Sequence, residues 1–372
     1  MATRPGLPDP HGPPATNGGD EMPDELHPRH LLIRVVEIAA VIAVVAVAIT
    51  ALPGLGQVRD RFEDADPLWL VLAGLAEVGS CLGYMLVFRA TFCPQMSWGL
   101  TYDISMAEQA ANSLLPTGGA GGLALGVWAL HRAGMATGHI ARRTVAFFLV
   151  TSAANFAAVV VAGLATFFGL FPGDRSVVFA LLPAVLAALV IEGAWLSPKL
   201  LRAFGTPLAA TGREHWFGRV RHAIRDGLRA AADGVELAKA LLRGHGFGVV
   251  VGSFSYMAFD MAALGFGFAA VGRVPPFGTL ALGYLIGQLG NLIPVPGGIG
   301  GTEGALVGMF AIYGVNVPEA VAAVFVYRLF QLTVPALLGA PAFVLLRRKL
   351  AHEHQRELVC NPLSVEPAEV HS

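Results

Sequence analysis

The segment Asn112-Ser-Leu-Leu-Pro-Thr-Gly-Gly-Ala-Gly-Gly122 recurs in the second half of the chain as Asn291-Leu-Ile-Pro-Val-Pro-Gly-Gly-Ile-Gly-Gly301. In both copies an asparagine is followed six residues later by the pattern Gly-Gly-x-Gly-Gly, inside a long hydrophobic stretch. Glycine and proline interrupt backbone hydrogen bonding, which at membrane depth is tolerated only where the backbone is buried in protein or lines a wet cavity. Two interrupted hydrophobic segments at corresponding positions of two halves indicate the binding site of a membrane transporter.

The composition places the chain among membrane proteins. It is 55% hydrophobic and 14% charged, with a mean hydropathy of +0.61. Its net charge of −1 carries no information about partners. The three cysteines form neither a disulfide framework nor a metal-binding pattern, so we expect free thiols. No cleavable signal is apparent, and the first hydrophobic run is long enough to be a retained helix.

Hydrophobic length predicts an all-α integral membrane protein. A transmembrane helix needs about 20 mostly apolar residues. Two further stretches, Trp98–Leu130 and Phe277–Tyr313, are broken at the glycine clusters and are predicted to form re-entrant hairpins. If their arms span the membrane instead, the fold has eight or more helices. The six uninterrupted candidate spans are Leu32–Leu52, Leu68–Phe88, Val145–Phe171, Val177–Leu196, Phe247–Val271 and Ala320–Leu346.

Lysine and arginine in the loops predict the orientation. Basic residues concentrate around the first hairpin, in the loop 197–245 and after the last span, which puts both termini of the multi-pass protein in the cytoplasm. The first hairpin then opens to the cytoplasm and the second to the outside. The membrane domain 31–350 therefore consists of two inverted halves, 31–172 and 173–350. The segments 1–30 and 351–372 are predicted to be disordered cytoplasmic tails.

The glycine clusters are the first candidate site. Each cluster is positioned to open a half-helix whose free N–H groups bind a phosphate, although close helix packing through small residues is the structural alternative. Asn112 and Asn291 are either ligands or caps for the backbone groups that the prolines free. The remaining candidates in these segments are Pro116, Gly118, Gly119, Gly121, Gly122, Pro294, Pro296, Gly297, Gly298, Gly300 and Gly301.

Ionisable residues within the predicted spans form the second candidate site, because charge at membrane depth is costly and is usually functional. Glu303 follows the second break, where it either complements the helix dipole or pairs with Arg328, which follows Tyr327 in the last span. We expect a Glu303–Arg328 ion pair lining the cavity. Asp260 and Glu77 lie near the middle of their spans. Each carries a proton, contacts a cationic head group, or is a structural acid. The same three roles are open for Glu108, in the first hairpin.

Three motifs of the chain resemble the flippase-like membrane domain of the lysylphosphatidylglycerol synthase family, which includes the multiple peptide resistance factors. The motifs are Asn112-Ser-Leu-Leu-Pro116, Asn291-Leu-Ile-Pro-Val-Pro-Gly-Gly-Ile-Gly-Gly-Thr-Glu303 and Tyr327-Arg328-Leu329. The resemblance covers about 32–350 and implies a multi-pass plasma (inner) membrane protein that moves a lipid between leaflets, without the soluble transferase domain of the full-length synthases. The chain departs from many relatives after the first break, where it reads Gly-Gly-Ala-Gly-Gly-Leu-Ala124, and at Thr151–Asn155, because those relatives carry charged residues in both places.

Together these observations predict a flippase-like protein that translocates an anionic or aminoacylated phospholipid or a polyprenyl-phosphate-linked lipid. One alternative is a non-transporting membrane partner that presents lipid to a separate transferase or glycosyltransferase. Another is an intramembrane enzyme that uses Asp260 and Glu303 as acid and base, but the sequence offers no nucleophile or metal set. We expect membrane lipids as partners, and no enzymatic activity, cofactor, metal or nucleic acid.

Overall fold

The computed structural model describes residues 56–114, 120–204, 234–244, 246–292 and 301–352. Within these ranges the ordered elements are all helical, which confirms the predicted all-α class. The helices are α1 (Gly56–Glu63), α2 (Pro67–Phe92), α3 (Trp98–Leu114), α4 (Ala120–Arg132), α5 (Thr137–Phe167), α6 (Leu182–Phe204, preceded by a π-turn at Val177–Leu181), α7 (Gly246–Val271), α8 (Phe277–Gly287, continued by a 3₁₀ turn at Gln288–Leu292), α9 (Gly301–Ile312) and α10 (Val317–His352).

Five of the described helices are long and apolar enough to cross a bilayer. They are α2, α5, α6 with its π-turn, α7 and α10, and they coincide with five of the six predicted spans. The remaining predicted span, 32–52, lies outside the described residues. Large apolar side chains such as Leu186 and Leu189 are exposed on α6, as contact with lipid requires. The protein is therefore a multi-pass membrane protein.

Both predicted hairpins are present as pairs of short helices. The arms α3 and α4 have 17 and 13 residues, and α8 and α9 have 11 and 12 residues. The two arms of each hairpin pack against each other. Each arm is shorter than the roughly 20 residues that a crossing needs. The breaks between the arms, at 115–119 and 293–300, lie outside the described residues.

The two halves repeat the same plan at a nearly constant spacing. Helices α2 and α7 both have 26 residues and begin at positions 67 and 246, while α3 and α8 begin at 98 and 277, the same offset of 179. The second arm of each hairpin ends at a glycine with positive φ, Gly134 at 94° and Gly314 at 80°. Around each of these glycines the same two backbone hydrogen bonds close the helix end. The sequence repeat is thus also a structural repeat.

The equivalent helices α2 and α7 pack against each other in opposite directions. A Cβ added at Gly83 would lie 2.3 Å from the backbone nitrogen of Tyr256, and one added at Gly252 would lie 2.5 Å from that of Val87. Position 83 of α2 thus contacts position 256 of α7, and position 87, four residues later in α2, contacts position 252, four residues earlier in α7. The helices are therefore antiparallel, as an inverted repeat requires, and glycine lets their backbones approach closely.

The last helix, α10, is held by an ion pair near each end. Glu319 in its first turn lies 3.6 Å from the Arg61 guanidinium of α1. Near the other end, the Lys349 ammonium donates a hydrogen bond to the Asp103 carboxylate of α3. Between these contacts the helix contains two prolines, Pro335 and Pro341. A single helix thereby connects α1 with the first hairpin.

The two described cysteines differ in state. Cys81 is a free, buried thiol in α2. Cys93, directly after α2, takes part in a disulfide bond. The expectation that the cysteines are free thiols is therefore wrong for Cys93, because spacing along the sequence does not show which distant residues the fold brings together.

Candidate functional site

Asp260 is the shared hydrogen-bond acceptor of a buried polar network. It lies near the middle of α7 with 3% of its surface exposed. The hydroxyl groups of Tyr284 and Tyr327 donate to its Oδ2 atom at 2.5 and 2.7 Å, and the Gln288 amide donates to the same atom at 3.3 Å. Helices α8 and α10 and the 3₁₀ turn thus converge on one carboxylate of α7.

A second part of the network extends from Asp260 to Glu303. The Gln331 amide donates to the Tyr327 hydroxyl at 2.5 Å and lies 3.5 Å from Asp260 Oδ1. Its own carbonyl oxygen accepts a hydrogen bond from the Arg328 guanidinium. Arg328 Nε in turn donates to Glu303 Oε1 at 2.7 Å. The predicted Glu303–Arg328 ion pair is therefore present, and both side chains are mostly buried.

Glu77 brings the first half of the chain into the network. It lies in α2 with 3% of its surface exposed. Its carboxyl group faces that of Asp260 within hydrogen-bonding range. Its Oε2 atom is buried and has no hydrogen-bond partner among the described residues. The network therefore lies where the two halves meet, with α2 from one half and α7 to α10 from the other.

Among the residues that the structure describes, acidic groups outnumber basic groups in this network. Three carboxyl groups, those of Glu77, Asp260 and Glu303, connect there to one guanidinium, that of Arg328. Unpaired charge is expensive in a low-dielectric interior, so such a cluster favours bound protons or a cation. The arrangement suits the binding of polar groups in an otherwise apolar membrane domain.

In the first hairpin the structure assigns Asn112 a capping role. Its side-chain oxygen accepts a hydrogen bond from the backbone N–H of Gly122 at 3.1 Å, across the break. A Cβ at Gly122 would lie 2.1 Å from that oxygen, so a larger residue there would displace the asparagine. One of the N–H groups that the sequence offers to a phosphate is therefore already used.

Most of the other glycine-cluster positions lie outside the described residues. Gly301 begins α9 and Glu303 lies in its first turn, while the backbone of Asn291 lies in the 3₁₀ turn. Phosphate binding by the clusters stays a prediction. The predicted site residues that lie outside the described parts of the chain are Pro116, Gly118, Gly119, Pro294, Pro296, Gly297, Gly298 and Gly300.

Sequence reasoning missed three members of the network: Tyr284, Gln288 and Gln331. A signal was available for the two glutamines. Gln288 precedes Asn291 by three residues, and Gln331 follows Tyr327 by four, which places each of them about one helical turn from a candidate residue. Tyr284 carried no such signal, because a tyrosine in an apolar helix is usually part of the core.

Glu108 occupies a separate buried site in the first hairpin. Its carboxyl group faces the Tyr84 hydroxyl of α2. Its Oε2 atom is buried without a hydrogen-bond partner, and none of the ion pairs found among the described residues involves it. It does not join the Asp260 network. The first hairpin thus buries an acid without the basic partner that the second hairpin has.

Comparison with known proteins adds two findings. The model of the family described as the lysylphosphatidylglycerol synthase TM region matches residues 35–339. A UPF0104 membrane protein of Methanothermobacter thermautotrophicus is 38% identical over 93 residues, which cover 25% of this chain and 26% of that protein. The match thus spans about a quarter of the relative's length.

Proposed function

Because the chain belongs to the family of the lysylphosphatidylglycerol synthase transmembrane region, we propose that it moves a lipid between the two leaflets of the membrane. The lipid class is an anionic or aminoacylated phospholipid or a polyprenyl-phosphate-linked lipid. The protein acts as a transporter rather than an enzyme, in the plasma (inner) membrane, with both termini in the cytoplasm.

The observation that carries this proposal is the polar network between the two halves. A lipid head group loses its hydration in the hydrocarbon core, so a transporter must offer polar contacts at that depth. Asp260, Arg328 and Glu303 offer acceptors, donors and both signs of charge in one connected cluster. The Arg328 guanidinium suits a phosphate, whereas the carboxylates suit an ammonium group.

The short hairpin arms support re-entrant hairpins. Four arms of 11 to 17 residues enter a domain whose neighbouring helices have 26 to 36. We propose that both hairpins are re-entrant and that their breaks meet near the middle of the membrane, where free backbone groups face a hydrated cavity. A lipid head group would pass this point while its acyl chains stay in the bilayer.

The test is lipid translocation by the purified protein in vesicles of phosphatidylglycerol and phosphatidylethanolamine. A trace of head-group-labelled phosphatidylglycerol is added, and a membrane-impermeant reductant destroys the label that reaches the outer leaflet. With the protein, nearly all of the label becomes accessible, whereas protein-free vesicles expose about half. If protein and protein-free vesicles stay indistinguishable for labelled phosphatidylglycerol, its lysyl derivative and a polyprenyl phosphate, translocation of these lipids is excluded.

The chain offers a matched control for the role of the network. Arg328–Glu303 and Arg59–Glu63 are both joined at 2.7 Å between Nε and Oε1, but the first pair is mostly buried and the second is exposed. Arg328→Gln should lower the translocation rate at least tenfold, while Arg59→Gln should leave it unchanged. Equal rates for these two variants would separate the network from transport.

A further inference from the structure

We propose that Glu77 and Asp260 share one exchangeable proton in the middle of the membrane domain, and that lipid movement is coupled to this proton. The first part stands on the geometry of the network alone. The second part rests on the proposed function.

Two carboxyl groups in contact at a buried position cannot both be ionised, because like charges repel strongly where water is excluded. Glu77 and Asp260 are each 3% exposed and face each other between α2 and α7. A proton between them converts this repulsion into an O–H···O hydrogen bond. The pair therefore holds one proton in the state that the structure represents.

The surrounding donors indicate which carboxyl group carries that proton. Asp260 accepts hydrogen bonds from two tyrosine hydroxyls and from the Gln288 amide, and the Gln331 amide lies 3.5 Å from its Oδ1 atom; these donors favour its ionised form. Within the described parts of the chain Glu77 has no comparable donor, and its Oε2 atom is buried without a partner there. The proton therefore resides on Glu77, which donates it to the Asp260 carboxylate.

The charged groups that the described residues place around the pair are few. Arg328 of α10 acts on both carboxyl groups, but its guanidinium is already bound to Glu303 and Gln331. Helix α5, which also packs on α2 and α7, carries His139, Arg142 and Arg143 only in its first two turns. The other titratable side chains near the pair are Cys81 of α2, Tyr256 of α7, Tyr284 of α8 and Tyr327 of α10.

This arrangement gives the proton a direct role in the charge balance of the network. Among the described residues the Arg328 guanidinium balances one carboxylate, so release of the proton leaves the network with two more carboxylates than its single guanidinium balances. A cationic group that enters the network would replace the proton, and an anionic group would require it to stay. Lipid movement and proton movement are thereby linked through one local charge balance.

Infrared spectroscopy of the full-length protein in vesicles tests the proton site without any transport. The wild-type protein should show a carboxylic-acid C=O band that disappears at alkaline pH and shifts in heavy water. Glu77→Gln should remove this band, and Asp260→Asn should change its frequency and the pH at which it disappears. Glu108→Gln is the matched control, because this buried acid does not touch Asp260, and the band should persist. If the band is the same in wild type, Glu77→Gln and Asp260→Asn, the shared proton is disproved.

Coupling is tested with the labelled phosphatidylglycerol vesicles under an imposed pH difference. The translocation rate in the wild type should change severalfold when the gradient is reversed, and this response should be absent in Glu77→Gln. A wild-type rate that ignores the gradient while the infrared band is present would overturn the coupling and leave the proton site standing. Absence of lipid movement in wild type would instead refute the proposed function, again independently of the infrared result.

Discussion

The two hairpins share one backbone plan but bury their polar groups in different ways. In the first hairpin, Asn112 caps the opposite arm and Glu108 faces a tyrosine hydroxyl, with no ion-pair partner among the described residues. In the second, Tyr284 and Gln288 from one side of the break and Glu303 from the other join a network that contains Arg328. The repeat thus determines where the hairpins lie, while the side chains decide which of them carries the charged site.

Equivalent positions show how this difference arises. Glu303 follows Gly301 by two residues, whereas Ala124 follows Gly122 by two. Arg328 lies eleven residues after the start of α10, and the corresponding residue of α5 is Phe148, whose side chain is exposed. The first half therefore lacks both members of the ion pair. A symmetric cavity with two equal binding sites is not what these side chains provide.

The largest effect that distinguishes the hairpins should come from breaking the buried ion pair. Glu303→Gln or Arg328→Gln alone should lower the free energy of unfolding by roughly 3 kcal/mol. This value lies at the lower end of the range for breaking buried ion pairs, because each side chain retains some exposure. The double variant should lose less than the sum of the two, since it leaves no charge without a partner. Reversible unfolding in mixed detergent micelles measures all three values.

The exposed Arg59–Glu63 pair is the reference for this cycle, and its two single variants should not change the unfolding midpoint measurably. Strict additivity of Glu303→Gln and Arg328→Gln would show that the two residues act separately, despite their contact.

A smaller effect should distinguish the hairpins at their glycines. Gly122→Ala places a Cβ 2.1 Å from the Asn112 oxygen and should cost about 1–3 kcal/mol as the cap is displaced. Gly304→Ala in α9 meets no described atom within 4 Å and should stabilise the protein by roughly 0.5–1 kcal/mol, because alanine favours a helix. Thermal unfolding of the two variants measures the difference, and equal shifts would mean that the cap does not constrain the first hairpin.

The smallest effect is expected at Glu108. Glu108→Gln keeps the shape of the side chain and separates no ion pair, so both stability and lipid translocation should stay within error of the wild type. The same isosteric change at Glu303 should lower both the stability and the lipid translocation rate strongly. A translocation rate for Glu108→Gln as low as that of Glu303→Gln would show that the first hairpin also carries an essential charge.

Local features of the sequence predicted the spans, the hairpins and the Glu303–Arg328 pair. Apolar length identifies a span, glycine and proline identify a break, and a charge in an apolar helix requires a partner. The contact between Glu77 and Asp260 was not predicted, because it depends on how α2 and α7 pack. Tyr284 was missed for the same reason, since its hydroxyl has a role only where α8 meets α7. The role of Asn112 stayed open until its partner across the break was known.

The two prolines in α10 have a mechanical consequence. A proline has no N–H, so Pro335 cannot bond the carbonyl of Gln331, and Pro341 cannot bond that of Leu337. Both interruptions lie between Arg328, which belongs to the polar network, and Lys349, which contacts Asp103 of the first hairpin. A helix bends most easily where such bonds are missing. The segment that carries Lys349 can therefore swing relative to the segment that carries Arg328, with few backbone hydrogen bonds broken.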